Sequence, residues 1–72
     1  MIIYVEHTTR VDENTFRLRV TLTTTLGEER TGYVTIAKYC APRIEGDLTL
    51  ADAATWYDIA IICMEEVLDV YL

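Results

Sequence analysis

Four carboxylates, Asp58, Glu65, Glu66 and Asp69, crowd toward the C-terminal end of this chain with no basic residue among them. The aliphatics Ile59, Ile62 and Val70 are mixed in with them. Carboxylates around a desolvated apolar centre suit a surface that holds a basic partner protein, whereas a merely solvated acidic face has no need of three large aliphatics. Asp58, Ile59, Ile62, Glu65, Glu66 and Asp69 are therefore the candidate partner-binding set. The arrangement is costly on a helix: Glu65 and Asp69 repel at a spacing of four by a few tenths of a kcal/mol, and anions are disfavoured near a helix C-terminus. It does not make an acid/base couple, because the neighbours Glu65 and Glu66 point about 100° apart.

Tyr4, Arg17, Arg19, Tyr33 and Tyr39 form the alternative set. Arginine and tyrosine on the open face of a sheet could stack on bases and touch phosphates. Two features weigh against it: Glu6 falls beside Arg19, and the bases are too few for strong counterion release. The remaining reactive types specify little. His7 is the lone histidine and has no designated nucleophile. Cys40 and Cys63 are too few and too far apart for a zinc motif, and three glycines leave no room for a phosphate-cradling loop. No catalytic residue, metal or cofactor is expected, and the chain reads as a binding protein, not an enzyme.

The charge distribution separates the two sets. The formal charge is −6, the wrong sign for generic nucleic-acid or anionic-membrane binding. All six bases lie before Ile44 beside five acids, whereas from Ile44 onward there are seven acids and no base. The longest apolar stretch, Ile59 to Met64, is far too short to span a bilayer. The N-terminal residues lack a basic signal-peptide region, and two cysteines are no disulfide framework. These features predict a cytoplasmic protein.

The elements that must position these residues follow from periodicity. The 72 residues suffice for one domain with a thin core. In residues 15–24, Phe16, Leu18, Val20 and Leu22 alternate with polar positions, a strand with its even positions inward. Residues 2–9 form another, with Ile3 and Val5 inward. A four-residue loop, Val11 to Asn14, would set Val5 opposite Val20 and Glu6 opposite Arg19. A third strand spans about 30–40, with Val34 and Ile36 inward and Lys38 at the sheet's end. Residues 41–48 read as a connector. A helix over about 50–70 then opens on a capping-box-like signal, with Thr49 as cap and Asp52 answering. Its broad apolar face (Leu50, Ala53, Trp56, Tyr57, Ala60, Ile61, Cys63, Met64, Val67, Leu68, Tyr71) is expected to cover the sheet. The acids, with Ile59, Ile62 and Val70, would then face outward. The fold predicted is α+β: a three-stranded antiparallel meander packed on one C-terminal helix, β-β-β-α.

That element order, with Thr49-Leu50-Ala51-Asp52-Ala53-Ala54-Thr55-Trp56-Tyr57-Asp58, resembles plant AP2-type domains and the amino-terminal domains of some phage integrases, which read DNA with a three-stranded sheet backed by one helix. The resemblance covers about ten residues. The basic, tryptophan-bearing strands of that family are not found here, so it supports the architecture and not DNA binding. In size, charge and class the chain also looks like phage or mobile-element inhibitors of the anti-CRISPR and anti-restriction kind, several of which present carboxylates where a host enzyme expects phosphates. The leading expectation is a non-enzymatic inhibitor of a host nucleic-acid-handling complex. It would work in the host cytoplasm, with Asp58, Glu65, Glu66 and Asp69 meeting a basic protein surface. The alternatives are a nucleic-acid-binding or regulatory module using the Arg/Tyr face, and a homodimer with Ile59, Ile62 and Val70 as its seam.

Overall fold

The computed structural model describes residues 1–71, Tyr71 by its backbone alone. Four antiparallel strands, β1 (Ile2–Asp12), β2 (Thr15–Thr23), β3 (Glu29–Ala37) and β4 (Arg43–Gly46), form one sheet in sequence order. A short 3-10 turn (Asp47–Leu50) leads into α1 (Ala53–Tyr71), which packs on one face of the sheet. The α+β class and the meander are as predicted. The fourth strand is an addition, drawn from what reads in sequence as a connector.

Alternation in β2 builds the core. Phe16, Leu18, Val20 and Leu22 are all buried, joined by Val34 from β3, and Ile3, Val5, Ile36 and Ile44 pack around them. Burying an aliphatic side chain is worth about 1.5–3 kcal/mol, so the β2 row alone fixes which sheet face is covered. Val5 pairs with Val20 as expected, and the Arg19 guanidinium donates to Glu6 at 3.0 Å. The pairing partner of Arg19 is nevertheless His7, because a bulge falls between Val5 and His7 and a second between Arg10 and Asp12. Each bulge inserts a residue and reverses the face parity beyond it. The strand therefore runs on to Asp12, and the loop shrinks to Glu13 and Asn14, where the Asn14 N–H donates to the Asp12 carboxylate at 2.8 Å.

Glycine 32 lets the chain cross to the inner face. It pairs with Val20 on one side and Gly46 on the other, and a Cβ there would collide with the Glu45 carbonyl oxygen and meet Leu48 Cγ at 3.0 Å. The missing side chain leaves the space that Leu48 fills, fully buried. Gly46, at φ 81°, makes the turn that L residues rarely adopt.

The helix begins later than predicted. Thr49 is not its cap: its hydroxyl donates to the Gly46 carbonyl at 2.8 Å inside the 3-10 turn. Ala51 is extended (φ −67°, ψ 146°) and interrupts the helical run. Asp52 caps α1 instead, accepting the Thr55 N–H on its carboxylate at 2.8 Å and the Trp56 N–H on its carbonyl at 2.9 Å. Hydrogen bonding from the Thr55 backbone N–H, and then from its side chain, holds the Asp52 carboxyl below its ordinary pKa.

The roll of the helix differs from the expectation. The side that meets the sheet is the line Ile59, Cys63, Val67, with Trp56 half-buried above it. Ile59 is 0 % exposed, whereas Tyr57, Ile61, Met64 and Leu68, expected beneath the sheet, are 66, 38, 46 and 54 % exposed. Leu50 is also in solvent, and the Tyr71 side chain lies outside the described residues. The physical reason is that apolar residues occupy most of this helix's circumference. A broad stripe and a narrow one compete for the core, and the inner face, a single buried row on β2 with Val34 beside it and Leu48 filling one end, accommodates the narrow line.

Candidate outward helix face

Rolled this way, α1 turns two parallel stripes to solvent. One is apolar: Tyr57, Ile61, Met64 and Leu68 recur at spacings of four, three and four, which keeps them on one side of an α-helix. The other is acidic: Asp58, Glu65 and Asp69 are all exposed. At about 100° per residue the two stripes lie side by side along the helix, with Ile61 and Glu65 at their border. Among the described residues, none of these three carboxylates has an ion-pair partner.

The expected six-residue set is thus divided. Asp58, Glu65 and Asp69 share the outward edge. Ile62 and Glu66 sit half-buried on the shoulder toward the sheet, where Glu66 adds its negative field to the burial that raises the Cys63 thiol pKa to about 12. Ile59 is corrected outright: a side chain sealed in the core cannot be the desolvated centre of a contact, and the seam of Ile59, Ile62 and Val70 loses its first member for the same reason. The apolar residues that do stand beside the acids are those assigned to the core. The heptad-like spacing of Tyr57, Ile61, Met64 and Leu68 was the signal that could have found them.

Met64 and Leu68 also form a wall of a cleft of about 340 Å³ between α1 and the end of the sheet, floored by Phe16 and Ile36. Arg10 and Lys38 stand across it. The Arg10 guanidinium lies 5.7 Å from the Phe16 ring centroid and donates to the backbone carbonyls of Asp12 and Glu13. Among the described residues neither Arg10 nor Lys38 has a carboxylate partner. The apolar stripe is therefore bordered by anions on one side and, near its C-terminal half, by two cations on the other.

The outer sheet face is built differently. Arg17 donates to Glu45 at 3.2 Å and its guanidinium lies 4.1 Å from the Tyr33 ring centroid. Arg19 pairs with Glu6, whose other oxygen accepts the Thr21 hydroxyl at 2.9 Å. Tyr4 is exposed at its edge. Tyr39 does not share the face: β3 ends at Ala37, and Tyr39 occupies the following turn in a left-handed conformation, φ 67°. Both arginines of the alternative site are already neutralised within the chain.

His7 and Cys40 are exposed, and among the described residues no three metal-ligating side chains converge. Among the described residues, no helix is long and apolar enough to cross a membrane. Comparison with family models, curated proteins and solved structures finds no match to this chain.

Proposed function

We propose that this chain is a non-enzymatic binding protein whose contact surface is the outward side of α1, and that its partner presents a basic surface. The observation that carries the reading is the juxtaposition of Tyr57, Ile61, Met64 and Leu68, all exposed, with the edge of Asp58, Glu65 and Asp69, which has no ion-pair partner among the described residues. A small domain does not leave four large apolar side chains contiguous in water without cost. An apolar centre with a charged rim is the anatomy of a protein interface: the apolar part supplies affinity, the charges supply rate and choice of partner. The inhibitor reading follows from the acidic edge. Carboxylates in a row can occupy the phosphate-binding side chains of a host nucleic-acid-handling complex, in the manner of an anti-CRISPR or anti-restriction protein from a phage or mobile element. Such a protein would act in the host cytoplasm.

The test is comparative capture. Immobilised wild-type protein, an Ile61→Ser/Leu68→Ser variant and an Arg17→Ala/Arg19→Ala variant are exposed to the same host lysate. A host protein held by wild type and by the sheet variant, but released by the helix variant, supports the reading. One held equally by the helix variant removes it.

A further inference from the structure

The exposed apolar residues of α1 have a spacing more specific than a patch requires. Ala54, Tyr57, Ile61, Met64 and Leu68 step by three, four, three and four along one side of the helix, and all five are exposed. This is the period at which two helices interlock side chain into side chain along a seam. The seam is about 21 Å long at 1.5 Å per residue. The positions that flank such a seam are equally ordered. Asp58 and Glu65 each follow a seam residue and form one edge; on the other edge Val67 is buried and Ala60 half-buried against the sheet. The open edge is therefore wholly acidic, and from Ile44 onward the chain has no base of its own to meet it.

We propose that α1 pairs with a basic amphipathic helix of a partner protein. The partner lays its apolar side along Ala54 to Leu68 and its lysines or arginines against Asp58 and Glu65, as one half of a two-helix coiled coil. This rests on the reading that the outward side of α1 is the contact surface and specifies the partner's chemistry. Charge complementarity selects this occupant over a second copy, because a second copy would bring another helix segment that carries acids and no bases. Arg10 and Lys38, across the cleft beside Met64 and Leu68, make the two sides of the seam electrostatically unlike, so a helix with a single basic edge has one preferred way round.

The probe is a fluorescein-labelled three-heptad peptide with leucine at the seam positions, lysine at one flank and glutamine at the other, followed by anisotropy against the intact protein. A control peptide carries glutamate in place of the lysines. The lysine peptide should bind at least tenfold more tightly than the control. An Ile61→Glu/Leu68→Glu variant, its fold checked by circular dichroism, should lose at least tenfold although it is more acidic than wild type. Equal or tighter binding to that variant would mean charge attraction alone and overturn the proposal. So would wild-type dimerisation in sedimentation that Ile61→Glu abolishes, since a second copy would then own the seam. If neither peptide binds, the helical partner is wrong; a host protein released by Ile61→Ser/Leu68→Ser would still leave the contact surface standing.

Discussion

The outer face of the sheet and the outer face of the helix solve the same problem in opposite ways. On the sheet, Arg17 and Arg19 each find a glutamate within the chain, and a tyrosine ring and a threonine hydroxyl complete the network. On the helix, Asp58, Glu65 and Asp69 have no ion-pair partner among the described residues, and four large apolar side chains beside them remain uncovered. A surface whose charges are spent internally has little left for a partner; one whose charges and apolar area are both unspent has both to offer. The sequence already placed the sheet set second because Glu6 falls beside Arg19; the pairing geometry adds Glu45 beside Arg17.

The comparison depends first on which side of α1 is the inner one. Ile59→Ala should cost about 2–5 kcal/mol in urea unfolding, whereas Ile61→Ala should stay within about 0.5 kcal/mol. Equal losses would mean that the two sides have been exchanged. Next in size is Gly32→Val, which drives a side chain into the Glu45 carbonyl and the Leu48 pocket. Overpacking there should cost roughly 1–3 kcal/mol, and a neutral result would show that β4 does not seat Leu48 as described.

Cys63 gives a chemical marker of the inner side. Its folded pKa is raised to about 12 from 9.0 by burial, helped by Glu66. The unfolded thiol ionises first, so between these values the folded state holds the extra proton and stability falls as pH rises, by up to about 1.4 kcal/mol per pH unit. Below that window the thiol contributes no pH dependence. Thiol labelling at neutral pH should accordingly reach Cys40 promptly and Cys63 only on unfolding; equal rates would place Cys63 at the surface.

A smaller effect tests the helix start. Asp52→Ala should lower the melting temperature, while Asp52→Asn, which keeps an acceptor for the Thr55 N–H, should lower it less. Because the Asp52 carboxyl is held below its ordinary value, its contribution is present above that value and is lost as pH falls through the lowered one. The smallest change is expected on the sheet. Arg17→Ala should cost less than about 1 kcal/mol, since its pair with Glu45 is solvent-exposed. A larger loss would mean that the outer network holds the sheet together.

Much of the fold was legible because strand patterning is local. Phe16, Leu18, Val20 and Leu22 alternate so regularly that the core face of the sheet follows from period two alone; the Val5–Val20 pairing was expected from a four-residue loop, and a two-residue loop with two bulges arrives at the same register and the same Glu6–Arg19 contact. Arg43–Gly46 was hidden because four residues containing proline-adjacent and glycine positions carry no periodic signal; they become a strand only when β3 offers an edge. The bulges beside His7 and Val11 were equally silent, since nothing in a sequence marks where one extra residue enters a ladder.

Sequence alone determined that the chain makes a sheet and a C-terminal helix, that its acids are concentrated in the second part, and that this helix is too apolar for one face to be its only apolar face. The tertiary structure decided which apolar stripe the core would take. Helical periodicity ranks faces by width, but burial is decided by the shape of the space available. That space, shaped by one row of β2 side chains and by Leu48 seated over Gly32, admits the line of Ile59, Cys63 and Val67 and leaves Tyr57, Ile61, Met64 and Leu68 beside the acids in water.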